Sequence, residues 1–280
     1  MSEIVLPNPE NFEDLKKKFV EGGLENFHVV ADFDRTLTKC FVGDKKSSTS
    51  WAQFRNLGIF DEDYFRKSNE MFEFYRPIEV SFDISSSDKI DKMSEWWQKH
   101  LQLLVDSKIS REIILEVVNR GGIEFRRGAL EFLDFLREKK IPLVIMSSGL
   151  GDIIVEVLKK EDRFYENIFI VSNFFEWDEE GFAKGFKGDM IIHSLNKSEV
   201  NVSSRDFFDK INIRKNVLLL SDGIDDVGMV EGFDYDNLIK VGFLNENVEG
   251  DLERYKKHFD IVITGDGDMN FVNEFLEGIK

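Results

Sequence analysis

A single cysteine, Cys40, excludes any disulfide within the chain, so the fold cannot depend on cross-links and nothing points to an oxidising compartment. Positive charge is also short: 37 basic against 54 acidic residues leave a formal charge of −17, which repels a polyphosphate backbone and argues against nucleic acid as a partner. No apolar run approaches the roughly 18 residues of a membrane span. The opening Met1-Ser2-Glu3-Ile4-Val5-Leu6-Pro7 lacks the basic stretch and apolar core of a signal peptide, so no membrane contact and a cytoplasmic location are expected. In that setting the triplets Asn196-Lys197-Ser198 and Asn201-Val202-Ser203, which match the glycosylation pattern, are expected to be accidental. Neither an internal repeat nor a low-complexity segment is visible, and nothing fixes the oligomeric state; a monomer is kept open.

What the chain does have is a globular composition, 42% hydrophobic and 32% charged, at a length that suits one α/β domain or a core with an insertion. The 27 phenylalanines read mostly as core packing. Short apolar runs recur at Phe27–Ala31, Ile141–Met146, Ile168–Val171, Val217–Leu220, Ile239–Leu244 and Ile261–Thr264, with helical patterns at Gly128–Lys139, Asp152–Lys160 and Val248–Lys257. Runs this short, apolar throughout and alternating with helices, predict a Rossmann-like parallel sheet covered on both faces. Residues 44–121 lack strong strand signals and are rich in helix formers and aromatics. They are expected to form a mostly helical cap inserted into an α/β core of residues 1–43 and 122–280. Aromatic segments around the acidic turn Asp178-Glu179-Glu180-Gly181 predict a β-hairpin within Ser172–Gly188.

Three predicted strands run out into chemically suggestive residues, Asp32, Ser147 and Asp222, and ligands of open α/β sheets bind beyond such carboxyl ends. The first is Val29-Val30-Ala31-Asp32-Phe33-Asp34-Arg35-Thr36, in which Asp32 and Asp34 could serve as a carboxylate nucleophile and a proton-handling partner. Turns also favour Asp and Thr, and that plainer reading stands beside it. Arg35 inside this motif could add positive charge near a phosphate. The second, Ser147-Ser148-Gly149-Leu150-Gly151-Asp152, offers a hydroxyl and backbone N–H groups at an expected helix start, either a phosphate cradle or an ordinary cap. The third, Ser221-Asp222-Gly223-Ile224-Asp225-Asp226, gathers carboxylates that call for a hard cation such as Mg²⁺, unless it is simply a capped helix start. Lys197, between the second and third, could hold a phosphate and screen it from the nucleophile.

This order of motifs resembles the haloacid-dehalogenase-like phosphatases. Tyr75-Arg76-Pro77-Ile78-Glu79-Val80, Met93-Ser94-Glu95-Trp96-Trp97, Val171-Ser172-Asn173-Phe174, Gly185-Phe186-Lys187-Gly188 and Val241-Gly242-Phe243-Leu244-Asn245 are similar to segments of the cytosolic 5′-nucleotidase III (pyrimidine 5′-nucleotidase) family. The resemblance implies a Mg²⁺-dependent hydrolase of nucleoside 5′-monophosphates. By the same resemblance, Asp32 is the nucleophile, Asp34 the general acid and base, and Ser147, Ser148, Gly149 and Lys197 the phosphate site. Asp222 and Asp226 would complete the metal site with Asp32 and the Asp34 carbonyl, Glu79 would recognise the base, and Trp97 and Trp51 would lie against it. Ser221, Gly223 and Asp225 depart from the family's pattern, which leaves Asp225 and Asp226 in competition as the second metal partner. The indoles keep a cationic purine, 7-methyl-GMP, beside CMP and UMP as a substrate. A phosphatase for another small metabolite such as phosphoserine, and a non-catalytic phosphate- or metal-sensing module, are the alternatives.

Overall fold

The computed structural model describes residues 2–81, 83–200 and 205–279, so the Asn201-Val202-Ser203 triplet lies outside the described residues. Among the described residues eleven strands occur in chain order: β1 Ile4–Val5, β2 Phe27–Ala31, β3 Phe41–Val42, β4 Lys45–Lys46, β5 Leu143–Leu150, β6 Ile168–Asn173, β7 Phe175–Trp177, β8 Ala183–Phe186, β9 Asn216–Ser221, β10 Asn237–Leu244 and β11 Ile261–Thr264. Seven form one sheet in the order β1-β11-β10-β9-β2-β5-β6. All neighbours in it run parallel except the antiparallel edge pair β1 and β11.

The sheet is buried on both faces, which is why its strands read as apolar runs without alternation. Phe27, Val29 and Ala31 of β2, Leu143 and Ile145 of β5, and Leu218 and Leu220 of β9 pack into one core. The intervening Val30, Val144, Met146, Val217 and Leu219 pack into a second core on the other face. From β2 the chain winds outward to β5 and β6, then returns to β9 on the other side of β2. That reversal opens a crevice at the carboxyl ends of β2, β5 and β9.

Within residues 44–121 the described residues form four helices, Ala52–Asn56, Glu62–Val80, Ser86–Asp106 and Arg111–Arg120. The three longer ones begin at side-chain caps, with Asp61, Ser85 and Ser110 accepting from the backbone N–H of Tyr64, Asp88 and Ile113. Tyr75, Met93 and Trp96 form a small core between the second and third of these helices, with Tyr75 stacked on Trp96 at 5.6 Å. Among the described residues no helix is long and apolar enough to cross a membrane.

Two local expectations change. β5 does not stop at Met146 but continues, with an irregularity in register, to Leu150, and the following helix starts at Gly151. Asp152 caps no helix; its carboxylate accepts from Phe175 N (2.9 Å) and Trp177 Nε1 (3.0 Å) and so ties the β7–β8 hairpin to the sheet. The segment expected to be mostly helical also contains part of a small hairpin, β3–β4, which turns at Gly43 with φ of +61°.

Candidate active site

The backbone N–H of Asp32 still donates to Leu220 O (3.0 Å), so the sheet's hydrogen bonding fixes the first carboxylate. The chain then turns sharply through Phe33–Leu37. Arg126, buried to 2% exposure, holds this turn from behind. Its guanidinium donates to Thr36 O (2.8 Å), Asn245 Oδ1 (3.0 Å) and Arg35 O, pairs with Asp266 (3.2 Å), and stacks on Phe243 at 4.2 Å. A five-donor fork matches a tight turn that exposes several carbonyls at once, and each carbonyl would be costly to bury unpaired.

Asp32, Asp222 and Asp226 each bring one oxygen into a group no more than 4.8 Å across. Lys197 Nζ lies 2.8 Å from both Asp32 Oδ1 and Asp226 Oδ1. The other Asp226 oxygen accepts from Ser221 Oγ (2.7 Å). One ammonium among three carboxylates leaves an excess of negative charge in a desolvated place. A hard divalent cation with oxygen ligands fits that donor set. Asp226 is buried and belongs to the cluster, whereas Asp225 is exposed and lines the cleft outside it.

The electrostatics follow from burial. Desolvation raises Asp32 well above the usual carboxylate range, and Asp226 and Asp222 push the same way against Lys197. Desolvation and the neighbouring Asp226 bring Asp222 up to about 6, opposed by Arg35, Lys197 and Arg126. Burial alone would lower Lys197, but Asp226 and Asp32 outweigh it and hold the ammonium above its ordinary value. Desolvation also raises Asp34, although Ser50 offsets part of the effect.

Ser50 is a site residue with no sequence signal. Its N–H (3.0 Å) and hydroxyl (2.8 Å) both donate to the Asp34 carboxylate, and its Oγ accepts from Leu150 N (3.3 Å). Gly149 fits beside it only because it lacks a side chain: a Cβ there would come within 2.1 Å of Ser50 Oγ and 3.2 Å of Asp34 Oδ2. Ser147 is 1% exposed and its Oγ accepts from Gly149 N (3.0 Å), while Ser148 faces the cleft. The Ser148 carbonyl accepts from Trp51 Nε1 (2.7 Å), Trp97 Nε1 (3.0 Å) and Asn173 Nδ2 (3.0 Å).

Asp32, Asp34, Ser148, Lys197, Asp222 and Asp226 line one cleft of about 580 Å³, whereas Ser50, Ser147 and Gly149 lie behind its wall. Trp51, Phe72, Trp96, Trp97, His100, Arg55 and Glu79 line it from the helical segment. Glu79 is no free surface acid: its carboxylate accepts from Ser194 Oγ (2.8 Å) and pairs with Arg76. Trp51 and Trp97 meet edge to face at 6.1 Å, so each indole is fixed by a ring and a hydrogen bond.

Carboxylates at the ends of parallel strands, one lysine between them and a helical segment alongside define a haloacid-dehalogenase-like hydrolase. Phosphoserine phosphatase, captured as an analogue of its phospho-aspartyl intermediate, shares this fold at 15% identity and a TM-score of 0.52, covering 89% of this chain and 97% of that one. Residues 35–280 match the family described as pyrimidine 5′-nucleotidase (UMPH-1), and the chain belongs to that family. The match begins one residue after Asp34, but whole-chain likeness extends further. The 7-methylguanosine phosphate-specific 5′-nucleotidase of Mus musculus is 34% identical over 277 residues, 99% of this chain and 92% of its own length. The crystal structure of cytosolic 5′-nucleotidase IIIB bound to cytidine superimposes with a TM-score of 0.90 at 27% identity, covering 99% of this chain and 93% of that one.

Proposed function

We propose that the protein is a Mg²⁺-dependent 5′-nucleotidase that cleaves nucleoside 5′-monophosphates to nucleoside and phosphate through an aspartyl-phosphate on Asp32. The observation that carries this reading is the Asp32–Lys197–Asp226–Asp222 cluster at one end of a cleft whose helical side is aromatic. An Asp32 oxygen attacks phosphorus in line, and the bond from phosphorus to the 5′ oxygen breaks. Asp34, whose raised proton affinity suits an acid, gives its proton to the departing oxygen. Asp34 as carboxylate then takes a proton from water as the water attacks phosphorus, which releases phosphate and restores Asp32. Lys197 screens the negative charge of nucleophile and phosphoryl group from each other. Ser147, Ser148 and Gly149 complete the phosphate site. Asp32, Asp222 and Asp226, with the Asp34 carbonyl, would hold Mg²⁺, which when bound offsets the charge on the phosphoryl oxygens.

Residues 44–121 act in this reading as a cap over the core of residues 1–43 and 122–280. Glu79 meets the base and Trp97 and Trp51 lie against it. The names of the relatives favour a 7-methylguanosine monophosphate, whose positive ring suits both indoles and a carboxylate, and the family's name favours CMP or UMP. The setting is cytoplasmic, with no nucleic acid or membrane partner. A substrate panel tests the reading: phosphate release from CMP, UMP, AMP, GMP, 7-methyl-GMP, phosphoserine and an aryl phosphate, with and without Mg²⁺. Glu79→Ala and Trp97→Ala should lower kcat/KM for the preferred nucleotide about ten- to a hundredfold more than for the aryl phosphate. Equal losses on both would return the chain to a phosphatase of other specificity, and wild-type turnover by Asp32→Asn would remove the mechanism.

A further inference from the structure

Five cations line the cleft, Arg35, Lys46, Arg55, Arg76 and Lys197, and three of them are spoken for. Lys197 serves Asp32 and Asp226, Lys46 pairs with Glu246, and Arg76 pairs with Glu79. Arg55 lies on the Phe72 ring at 4.3 Å. Arg35 alone has neither an acid within ion-pair distance nor a ring beneath it among the described residues, and its Nε is buried without a hydrogen-bond partner.

Its backbone is held just as unusually. Arg35 has φ of +63° and ψ of +5°, the left-handed region that disfavours a residue with a side chain. The conformation is pinned from three sides: its N–H donates to Thr38 Oγ1 (2.8 Å), and its carbonyl accepts from Asn245 Nδ2 (3.0 Å) and from Arg126. A strained conformation fixed this firmly points to a use for the side chain it presents. That side chain lines the cleft, next in sequence to Asp34, and its charge is felt at Asp34 and Asp222 without a direct bond to either.

We propose that Arg35 is a second phosphoryl-binding cation, donating to a non-bridging oxygen of the phosphate that Asp32 attacks. A guanidinium fork matches two oxygens of a tetrahedral phosphate, which a lysine point charge does not. The two cations divide the work: Lys197 is bonded to the nucleophile and screens it, whereas Arg35 keeps its donors for the substrate. The proposal rests on the preceding section only in taking a phosphate monoester as substrate, and it needs no particular base.

A plainer role, balancing the charge of Asp222, makes a different prediction: removing Arg35 would then tighten Mg²⁺ binding and leave phosphate affinity alone. Arg35→Gly separates the two, because glycine accepts this φ freely and the variant should melt no lower than the wild type. Arg35→Met keeps the bulk without the charge, and Arg35→Lys keeps the charge without the fork. Calorimetric titration of inorganic phosphate in the presence of Mg²⁺ should give a Kd raised about ten- to a hundredfold in the Gly and Met variants and partly recovered in the Lys variant. Turnover of a nucleotide and of an aryl phosphate should fall by a common factor. Unchanged phosphate affinity in a folded Arg35→Gly protein would overturn the proposal. Weakened phosphate binding in a protein that spares nucleotides and hydrolyses only other monoesters would instead uphold Arg35 and remove the nucleotidase reading.

Discussion

Lys197→Met should damage stability as well as chemistry, in a way that depends on pH and metal. The lysine is 4% exposed and holds two carboxylates at 2.8 Å, whose side chains are themselves 9% and 8% exposed. Removing one partner of a buried ion pair costs about 3–5 kcal/mol, because it leaves charge without compensation. In a domain of this size that corresponds to a fall in Tm of roughly 6–20 °C. The acids can escape part of the cost by taking up a proton, since burial already pushes Asp32 upward and losing Lys197 removes the main opposing influence. A carboxyl held above its unfolded value binds its proton more tightly in the folded state, so the variant's stability should fall as pH rises. The deficit should therefore be larger near pH 8 than near pH 6. Mg²⁺ adds charge to the same acids and should raise the Tm of Lys197→Met more than that of the wild type. Adding Asp226→Asn should recover much of the loss, as coupled neighbours do. Urea unfolding of the wild type, Lys197→Met, Asp226→Asn and the double variant at both pH values, with and without Mg²⁺, measures all of this. A metal-free Lys197→Met as stable as the wild type near pH 8 would refute the assignment of this ammonium as the keystone of the cluster.

Asp226→Ala should weaken Mg²⁺ binding and turnover, and Asp225→Ala only mildly; titration of Mg²⁺ against activity in the two variants would expose the reverse order. Gly149→Ala should displace Ser50 and lower kcat severely, since the added carbon cannot sit 2.1 Å from the hydroxyl; unaltered turnover would mean that the loop yields without consequence. Burial lowers His28 to about 4, below the ordinary value near 6.5, so the unfolded chain takes up the proton first. Its contribution is complete above about pH 6.5 and is lost as pH falls towards 4, worth at most about 3 kcal/mol. His28→Gln should show a flatter dependence of urea stability on pH across that window.

The strands were legible because burial on both faces leaves a direct mark: β2, β5, β9, β10 and β11 are each a short run with hardly a polar residue. The strand-end carboxylates were legible for the same reason, as charges standing where such a run breaks off. Ser50 was not, because a serine in the run Ser47-Ser48-Thr49-Ser50 carries no sign of reaching back sixteen residues to Asp34 and forward a hundred to Leu150. Arg126 was hidden too; beside Arg127 it reads as surface charge, and only the tertiary fold delivers the carbonyls it serves. The extension of β5 to Leu150 leaves no mark in the sequence, because Ser147, Ser148 and Gly149 look like the end of a strand, while pairing of Leu150 with Asn173 carries it on.

Ser148 offers its carbonyl to two indoles, one on either side of the helix Glu62–Val80 in the chain, and to Asn173. Any swing of the helical segment away from the sheet has to release both indole N–H groups, leaving that oxygen with one donor from the core. At about 0.5–1.5 kcal/mol for each bond, that disruption alone would hold an open form to roughly one to twenty per cent of the molecules. A nucleoside leaving after cleavage would then wait on this latch. Replacing either tryptophan by phenylalanine, which keeps a ring but not the N–H, would hasten its departure even if affinity for the base were unchanged.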